Sequence, residues 1–234
     1  MENTPKHIVA LSGGRDSVAM ALRLAEVEPR DYIYVCTPTG DELPEMVAHW
    51  RKIEGLLGKE IVDANAGETL NTLIFKMGAI PNWRMRWCTR ILKILSYQAF
   101  ITKHLPVVSY VGLRADEEER TGLEWNTEGF TTRHPMKEWG WSIDDVVSYL
   151  KVKGIEIPRR TDCARCFFQT LHEWYLLWRD YPEIFWDAAM QEVRIEHTYR
   201  SKGRDTWPAA LTELAKEFDS GRIPKERKRK GCND

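Results

Sequence analysis

The sequence predicts an α/β fold, with a doubly wound, mainly parallel sheet followed by a helical C-terminal region. In the first half of the chain, short apolar runs alternate with segments of helical periodicity, which is typical of parallel βαβ units covered by helices on both faces. The second half is rich in aromatic residues at helical spacing. Predicted strands cover residues 7–11, 32–36, 60–62 and 107–111, and predicted helices cover residues 17–27, 44–57, 89–104, 142–153, 163–196 and 209–218.

Local sequence supports several of these elements. The first run enters a glycine turn, as a buried strand does at its end. Pro44 is acceptable in the first turn of a helix, where its missing N–H is not needed. Ser142 with Asp145 three residues later resembles a capping box. About five strands are expected in all.

The chain of 234 residues is long enough for one sizeable core with an appendage. We expect an α/β domain over residues 1–158, a helical region over 159–224 and a basic tail over 225–234. The net charge of −1 gives no general attraction to nucleic acid or membranes. The tail reads Lys-Glu-Arg-Lys-Arg-Lys at 225–230, which favours a solvated end, with contact to a nucleic-acid backbone as the alternative.

Targeting signals and the number of cysteines indicate the cellular compartment in which the protein works. The sequence has neither a signal-peptide core nor an apolar stretch of the roughly eighteen residues that a membrane span needs, so a cytoplasmic protein is expected. Its five cysteines are an odd number without an export signal. This favours metal, cluster or thiol chemistry over a disulfide framework.

A phosphate-binding loop is predicted between the first strand and the first helix. Glycines let backbone N–H groups approach a phosphate, the following helix presents its positive end, and two serines add hydroxyl donors. A glycine turn without a ligand is the alternative. The loop residues are Ser12, Gly13, Gly14, Arg15, Asp16 and Ser17.

This loop matches the Ser-Gly-Gly-x-Asp-Ser signature of PP-loop enzymes, which have a Rossmann-like fold and bind the pyrophosphate side of ATP. Further segments, in the same order, resemble the phosphoadenosine-phosphosulfate (PAPS) reductase family over about residues 7–190. They are Cys-Thr-Pro-Thr-Gly-Asp-Glu at 36–42, Cys-Thr-Arg-Ile-Leu-Lys at 88–93, Gly-Leu-Arg-Ala-Asp-Glu at 112–117, the segment 134–141, and Asp-Cys-Ala-Arg-Cys at 162–166.

The resemblance implies an ATP or PAPS-like adenine nucleotide, with Mg²⁺, on the phosphate loop. It places Thr39 and Gly40 near the adenosine. Arg114 follows a strand end, where ligands of parallel sheets bind, and its guanidinium can hold a phosphate or sulfate through two bonds. Arg90 and Lys93 lie near a helix start, where anions are also favoured. Asp16, Lys93, Arg114 and Cys232 are the expected catalytic residues.

Cys163-x-x-Cys166 and Cys88 resemble the ligands of a [4Fe-4S] cluster in the iron–sulfur reductases. The resemblance supplies three ligands, and the fourth is open. A zinc ion on the same thiolates and simple packing of buried cysteines are the alternatives. Cys232 resembles the nucleophile that thiol-dependent reductases carry on a C-terminal segment, and neighbouring cations favour its thiolate.

Three functions remain open. A reductase would attack the sulfur of PAPS or its unphosphorylated analogue and later release sulfite, with a thiol reductant protein as partner. An ATP-pyrophosphatase-type sulfurtransferase would adenylate an acceptor, such as a nucleic acid in phosphorothioation or thiolation, and take sulfur from a donor. The retained Asp16 and Ser17 favour ATP cleavage. A non-catalytic nucleotide sensor is the third hypothesis, and a homodimer is possible.

Overall fold

The computed structural model describes residues 4–65, 67–120, 122 and 125–226. Its strands are β1 (Lys6–Ala10), β2 (Tyr32–Cys36), β3 (Ile61–Asp63), β4 (Val107–Tyr110) and β5 (Phe130–Arg133). Its helices are α1 (Arg15–Val27), α2 (Pro44–Leu57), α3 (Leu70–Met77), α4 (Ser96–Thr102), α5 (Pro135–Glu138), α6 (Ile143–Val152), α7 (Leu171–Asp180), α8 (Pro182–Ile195) and α9 (Leu211–Asp219). A π-helical segment, Thr89–Leu95, runs directly into α4.

The five described strands form one parallel sheet in the order β3-β2-β1-β4-β5. The order reverses at β1, because β2 lies on one side of it and β4 on the other. Loops that follow two such strands diverge and leave a crevice at the carboxyl end of the sheet, where ligands of this fold class bind. The predicted doubly wound fold is confirmed.

Two hydrophobic clusters pack most of the helices, and the first of them also contains residues of the sheet. The first contains Val18, Met20 and Leu24 of α1 with Val146 and Leu150 of α6. The second is centred on the C-terminal helices but extends beyond them. Trp174, Phe185 and Phe218 pack there with Leu70 and Ile74 of α3 and Leu92 of the π-helical segment. The helical region therefore shares its core with the α/β part.

The prediction of one helix over residues 163–196 is wrong. Residues 163–170 form successive turns instead, with Cys166 N donating to Cys163 O and Gln169 N donating to Cys166 O. Ala164 N donates to Asp41 O, which ties these turns to the segment after β2. Helix α7 then starts at a Thr170 capping box, and α8 starts separately at Pro182. The capping box at Ser142 is confirmed.

Three elements escaped the sequence patterns: strand β5, helix α3 and the four-residue helix α5. Strand β5 is short and largely polar, Phe-Thr-Thr-Arg, and only its pairing with β4 defines it. Helix α3 has eight residues and a Thr69 capping box. None of the helices in the described residues has the length and apolar character needed to cross a membrane.

Candidate active site

The phosphate loop is held by bonds among its own residues and by helix α2. Gly13 has a φ of 89°, and its N–H donates to Ser17 Oγ over 3.1 Å. Ser17 Oγ lies 3.0 Å from Ser12 Oγ and also donates to Gly14 O over 3.0 Å. From α2, Trp50 Nε1 donates to Ser12 O over 3.1 Å. The loop is therefore preformed without a ligand.

The N-terminus of α1 opens onto the crevice. Gly14 is its N-cap residue, and within the described structure no side chain caps this end. The loop after β4 approaches it closely, since a Cβ on Gly112 would lie 3.3 Å from Ser17 N. Uncapped N–H groups at a helix N-terminus form an anion-binding position.

Arg114 lies beside this helix end and is 3% exposed. Its Nη1 donates to Asp16 Oδ2 over 2.6 Å, and its Nε donates to Asp116 Oδ1 over 2.9 Å. Burial raises the pKa of Asp16, although the charge of Arg114 opposes the shift. The second oxygen, Asp16 Oδ1, is buried and has no hydrogen-bond partner among the described residues, and the same is true of Arg15 Nε.

A cavity of about 910 Å³ extends from the phosphate loop across the carboxyl ends of β1, β2 and β4. Ser12, Gly14, Arg15, Asp16, Ser17, Lys93 and Arg114 of the predicted site line this cavity. The structure thus brings together residues that lie in three separate segments of the sequence.

Part of the cavity wall was missed by sequence reasoning. Tyr97 and Ser109 line the cavity, and their hydroxyl oxygens lie 2.7 Å apart. Trp125 and Phe130 also line it, with ring centroids 4.9 Å apart. Tyr97 lies on the predicted helix at 89–104, but nothing in the sequence shows which way it faces. Phe130 belongs to the undetected strand β5.

Lys93 is solvent-accessible on the cavity wall. Desolvation by that wall opposes its positive charge, but electrostatic interactions with its neighbours, the carboxylate of Asp162 among them, outweigh this effect and raise the pKa of Lys93. A cation is therefore maintained on the side of the cavity formed by the π-helical segment. Arg90, three residues earlier, is exposed and does not line the cavity.

Thr39 and Gly40 also lie outside the cavity lining. Thr39 is buried, and its Oγ1 lies 2.7 Å from Glu42 Oε1 and 3.2 Å from Cys163 Sγ. A Cβ on Gly40 would lie 2.7 Å from a side-chain carbon of Thr69. In this structure the segment 37–42 supports the turns at 163–166.

Asp41 provides most of that support. Its carboxylate accepts from Arg165 N over 2.9 Å and from Arg165 Nε over 2.6 Å, and both side chains are buried. Arg165 Nη1 also donates to Asp187 Oδ2 of α8 over 2.5 Å. The Asp-Glu part of the sequence motif thus has a structural role here.

The described residues do not show a metal cluster. Among them, no group of three or more His, Cys, Asp or Glu side chains is arranged to hold a metal ion, so Cys88, Cys163 and Cys166 do not form one. Burial raises the pKa of Cys163 to about 12, despite the nearby charge of Lys93. The [4Fe-4S] cluster and the alternative zinc ion therefore stay predictions from the sequence. Cys232 and residues 227–234 lie outside the described residues.

Comparisons with known proteins agree with the observed fold. A PAPS reductase from Candida auris, solved as a phosphate complex, is similar in fold: TM-score 0.52, 14% sequence identity, 66% of this chain and 75% of the other covered. An uncharacterized protein of Methanocaldococcus jannaschii is 24% identical over 208 residues, which are 81% of this chain and 42% of that protein. The chain thus spans less than half the length of this relative. Residues 6–159 match the phosphoadenosine phosphosulfate reductase domain. The chain therefore belongs to the PAPS reductase family of the PP-loop superfamily.

Proposed function

We propose that the chain is an enzyme that binds an adenine nucleotide, ATP or a PAPS-like molecule, in the 910 Å³ cavity and uses it in sulfur chemistry. One observation carries this proposal. An uncapped helix N-terminus and buried polar atoms of Arg15 and Asp16 that have no partner among the described residues meet at one wall of the cavity. Buried polar groups without partners are unfavourable unless a ligand completes them. Family membership supports sulfur chemistry.

The phosphates would lie on residues 12–17, with Lys93 and Arg15 neutralising charge from two sides. The adenosine would extend toward Tyr97, Trp125 and Phe130, which supply flat apolar surface. A carboxylate oxygen such as Asp16 Oδ1, together with phosphate oxygens, is a suitable ligand set for Mg²⁺. Bound there, Mg²⁺ would supply charge neutralisation on the phosphates.

Asp16 favours ATP cleavage as the chemistry. Arg114 holds Asp16 Oδ2 in place. The other oxygen, Asp16 Oδ1, has no partner among the described residues and is left for a ligand. In this reaction an acceptor oxygen attacks the α-phosphorus, pyrophosphate leaves, and sulfur from a donor later displaces AMP. Positioning and charge neutralisation are the contributions that such a transfer requires from a protein.

A PAPS reductase is the second candidate. Here the thiolate of Cys232 attacks the sulfur of the sulfonyl group, adenosine 3′,5′-bisphosphate leaves, and a thiol reductant later attacks the resulting S-sulfocysteine and releases sulfite. Arg159 lines the cavity, and its Nη2 lies 3.5 Å from Glu226 Oε1. Cys232 follows Glu226 by six residues in the sequence. The chain therefore enters its last segment beside the proposed nucleotide site.

Nucleotide binding is tested by titration calorimetry with Mg-ATP and with PAPS on the wild type and on Gly14→Val. A Cβ at Gly14 has ordinary contacts, 3.6 Å from Ser12 Oγ and 3.8 Å from Thr161 Oγ1, so the fold tolerates a side chain there. The valine would occupy the position of a phosphate, and we expect no measurable binding. Equal affinity of the two proteins would refute the site.

The chemistry is tested by product analysis. Pyrophosphate formation from ATP that is lost in Asp16→Asn would identify the ATP-dependent sulfurtransferase. Sulfite formation from PAPS that is lost in Cys232→Ser would identify the reductase. Tight nucleotide binding with neither product, in the presence of a thiol reductant and a sulfur donor, would leave the non-catalytic sensor.

A further inference from the structure

A long part of the chain is basic in a protein whose total charge is close to zero. Between Glu68 and Asp116 the sequence contains no Asp or Glu. The same stretch contains the basic residues Lys76, Arg84, Arg86, Arg90, Lys93, Lys103 and Arg114. Arg114 and Lys93 belong to the cavity, and Lys76 pairs with Glu68. The remaining cations are exposed, and none of them has an ion pair within the described residues.

Two of these arginines lie against exposed aromatic rings. Trp83 is 60% exposed, and the guanidinium carbon of Arg84 lies 4.6 Å from its ring centroid. Phe168 is 41% exposed, and the guanidinium carbon of Arg86 lies 5.3 Å from its ring centroid. The contact between Arg86 and Phe168 joins segments far apart in sequence. We call the face made by Trp83, Arg84, Arg86 and Phe168 the arginine–aromatic surface.

Both segments of this surface lead, within six or seven residues along the chain, to residues that line the proposed nucleotide cavity. After Arg86 the chain enters the π-helical segment, where Lys93 lines the cavity. Before Phe168 the chain passes through Asp162, which also lines the cavity. Arg84 and Arg86 themselves do not line it. These arginines are therefore available to a second, larger ligand beside the nucleotide.

We propose that the arginine–aromatic surface binds a single strand of nucleic acid next to the nucleotide cavity. Flat rings accept stacked bases, guanidinium groups both stack and bind phosphate, and the absence of carboxylates nearby in the sequence removes repulsion of the backbone. Protein interfaces are also enriched in arginine and aromatic residues, but the long stretch without Asp or Glu favours a polyanion over a protein. This binding does not depend on which reaction the enzyme catalyses. If the reaction is ATP-dependent sulfur transfer, the bound nucleic acid would be its acceptor.

The test is fluorescence anisotropy of labelled single-stranded DNA and RNA with the full chain. We expect Arg84→Ala/Arg86→Ala to weaken binding about tenfold and to reduce the slope of log K against log salt by about 0.7 per lost phosphate contact. Trp83→Leu should weaken binding about fivefold or more, and Trp83→Phe should retain it, because a ring is needed for stacking.

The matched control is Arg51→Ala/Lys52→Ala, which removes two exposed cations of α2. It should bind like the wild type. A second control replaces the basic residues 227–230 of the tail with serine. The proposal would be overturned if only the tail variant lost binding. It would also be overturned if the Arg84/Arg86 variant bound like the wild type, or if neither the wild type nor any variant bound an oligonucleotide. An acidic protein as the true partner would give that last result.

Folding and the proposed nucleotide site are monitored separately. The variants at Trp83, Arg84/Arg86 and Arg51/Lys52 should keep the wild-type urea unfolding curve and the wild-type affinity for Mg-ATP, since these side chains do not line the cavity. If wild-type protein binds oligonucleotides through this surface but binds no ATP, the proposed function fails and the present proposal stands. If the wild type binds ATP but no oligonucleotide, the present proposal fails and the proposed function stands.

Discussion

The phosphate loop and the Asp41–Arg165 pair are both polar, but they differ in how far the protein itself satisfies them. Asp41 and Arg165 are buried together, and the carboxylate accepts bonds from the backbone and the side chain of Arg165. In the loop, Asp16 Oδ1 and Arg15 Nε are buried without a described partner, and the helix end is uncapped. A satisfied polar group supports structure, whereas an unsatisfied one beside a cavity indicates a ligand. The phosphate loop and the Asp41–Arg165 pair both lie in sequence motifs shared with the PAPS reductase family. Only the structure shows that their roles differ.

The largest effect is expected at Asp41. Asp41→Asn leaves the buried guanidinium of Arg165 without its main counter-charge, which should lower the free energy of unfolding by about 3–5 kcal/mol. Urea denaturation measures it. Asp31→Asn is the matched control, because Asp31 is 98% exposed in its ion pair with Lys59 and should leave the midpoint unchanged. A small effect at Asp41 would remove the distinction between the two regions.

A second stability effect depends on pH. Burial raises the pKa of Glu192 on α8 from its ordinary value of 4.5 to about 7, although its oxygens accept bonds from Leu211 N and Tyr199 N. Folding therefore favours the protonated form. The resulting stabilisation is complete below about pH 4.5 and is lost as the pH rises through about 7, by roughly 3 kcal/mol at most.

Urea curves at several pH values test this prediction. In Glu192→Gln the fall in stability between about pH 4.5 and 7 should become smaller, because the titrating group is gone. Glu183→Gln, at an exposed position of the same helix, should keep the wild-type profile. Parallel profiles for the wild type and Glu192→Gln would show that Glu192 is ionised throughout.

The two loop glycines should respond differently. A Cβ on Gly13 would collide with Met46 Cε and lie 2.5 Å from Trp50 Nε1, and its φ of 89° is unfavourable for alanine. Gly13→Ala should therefore lower the free energy of unfolding by about 1–3 kcal/mol. Gly14→Ala should unfold like the wild type but bind Mg-ATP more weakly. Two equally destabilised proteins in urea would mean that both glycines serve packing alone.

The smallest effect is expected at Arg114. Arg114→Lys keeps the charge but cannot bond Asp16 and Asp116 with two fixed nitrogens. Nucleotide affinity should fall about tenfold, because Asp16 is no longer held in position. Calorimetry measures it, with Arg23→Lys on the exposed face of α1 as the control. Unchanged affinity would return Arg114 to a purely structural role.

Much of the fold follows from the sequence. Apolar runs and helical periodicity located β1, β2, β4, α1 and α2, because burial on both faces of a parallel sheet produces local patterns. The phosphate loop was also readable, since its glycines and serines are consecutive and have a local chemical reason. Strand β5 was not readable, because its hydrogen bonds to β4 define it and its own residues are mostly polar.

Only the tertiary structure decided which residues from distant segments of the chain come into contact. The sequence alone brought Cys88 together with Cys163 and Cys166, and it placed Thr39 and Gly40 at the nucleotide. In the structure Thr39 Oγ1 lies 3.2 Å from Cys163 Sγ, and the described residues contain no metal-binding group, so both assignments stay predictions. The reason is physical: a motif fixes which groups are present, whereas their direction depends on packing. Asp41 pulls residues 164–165 toward itself, and the aromatic core sets the helices around them.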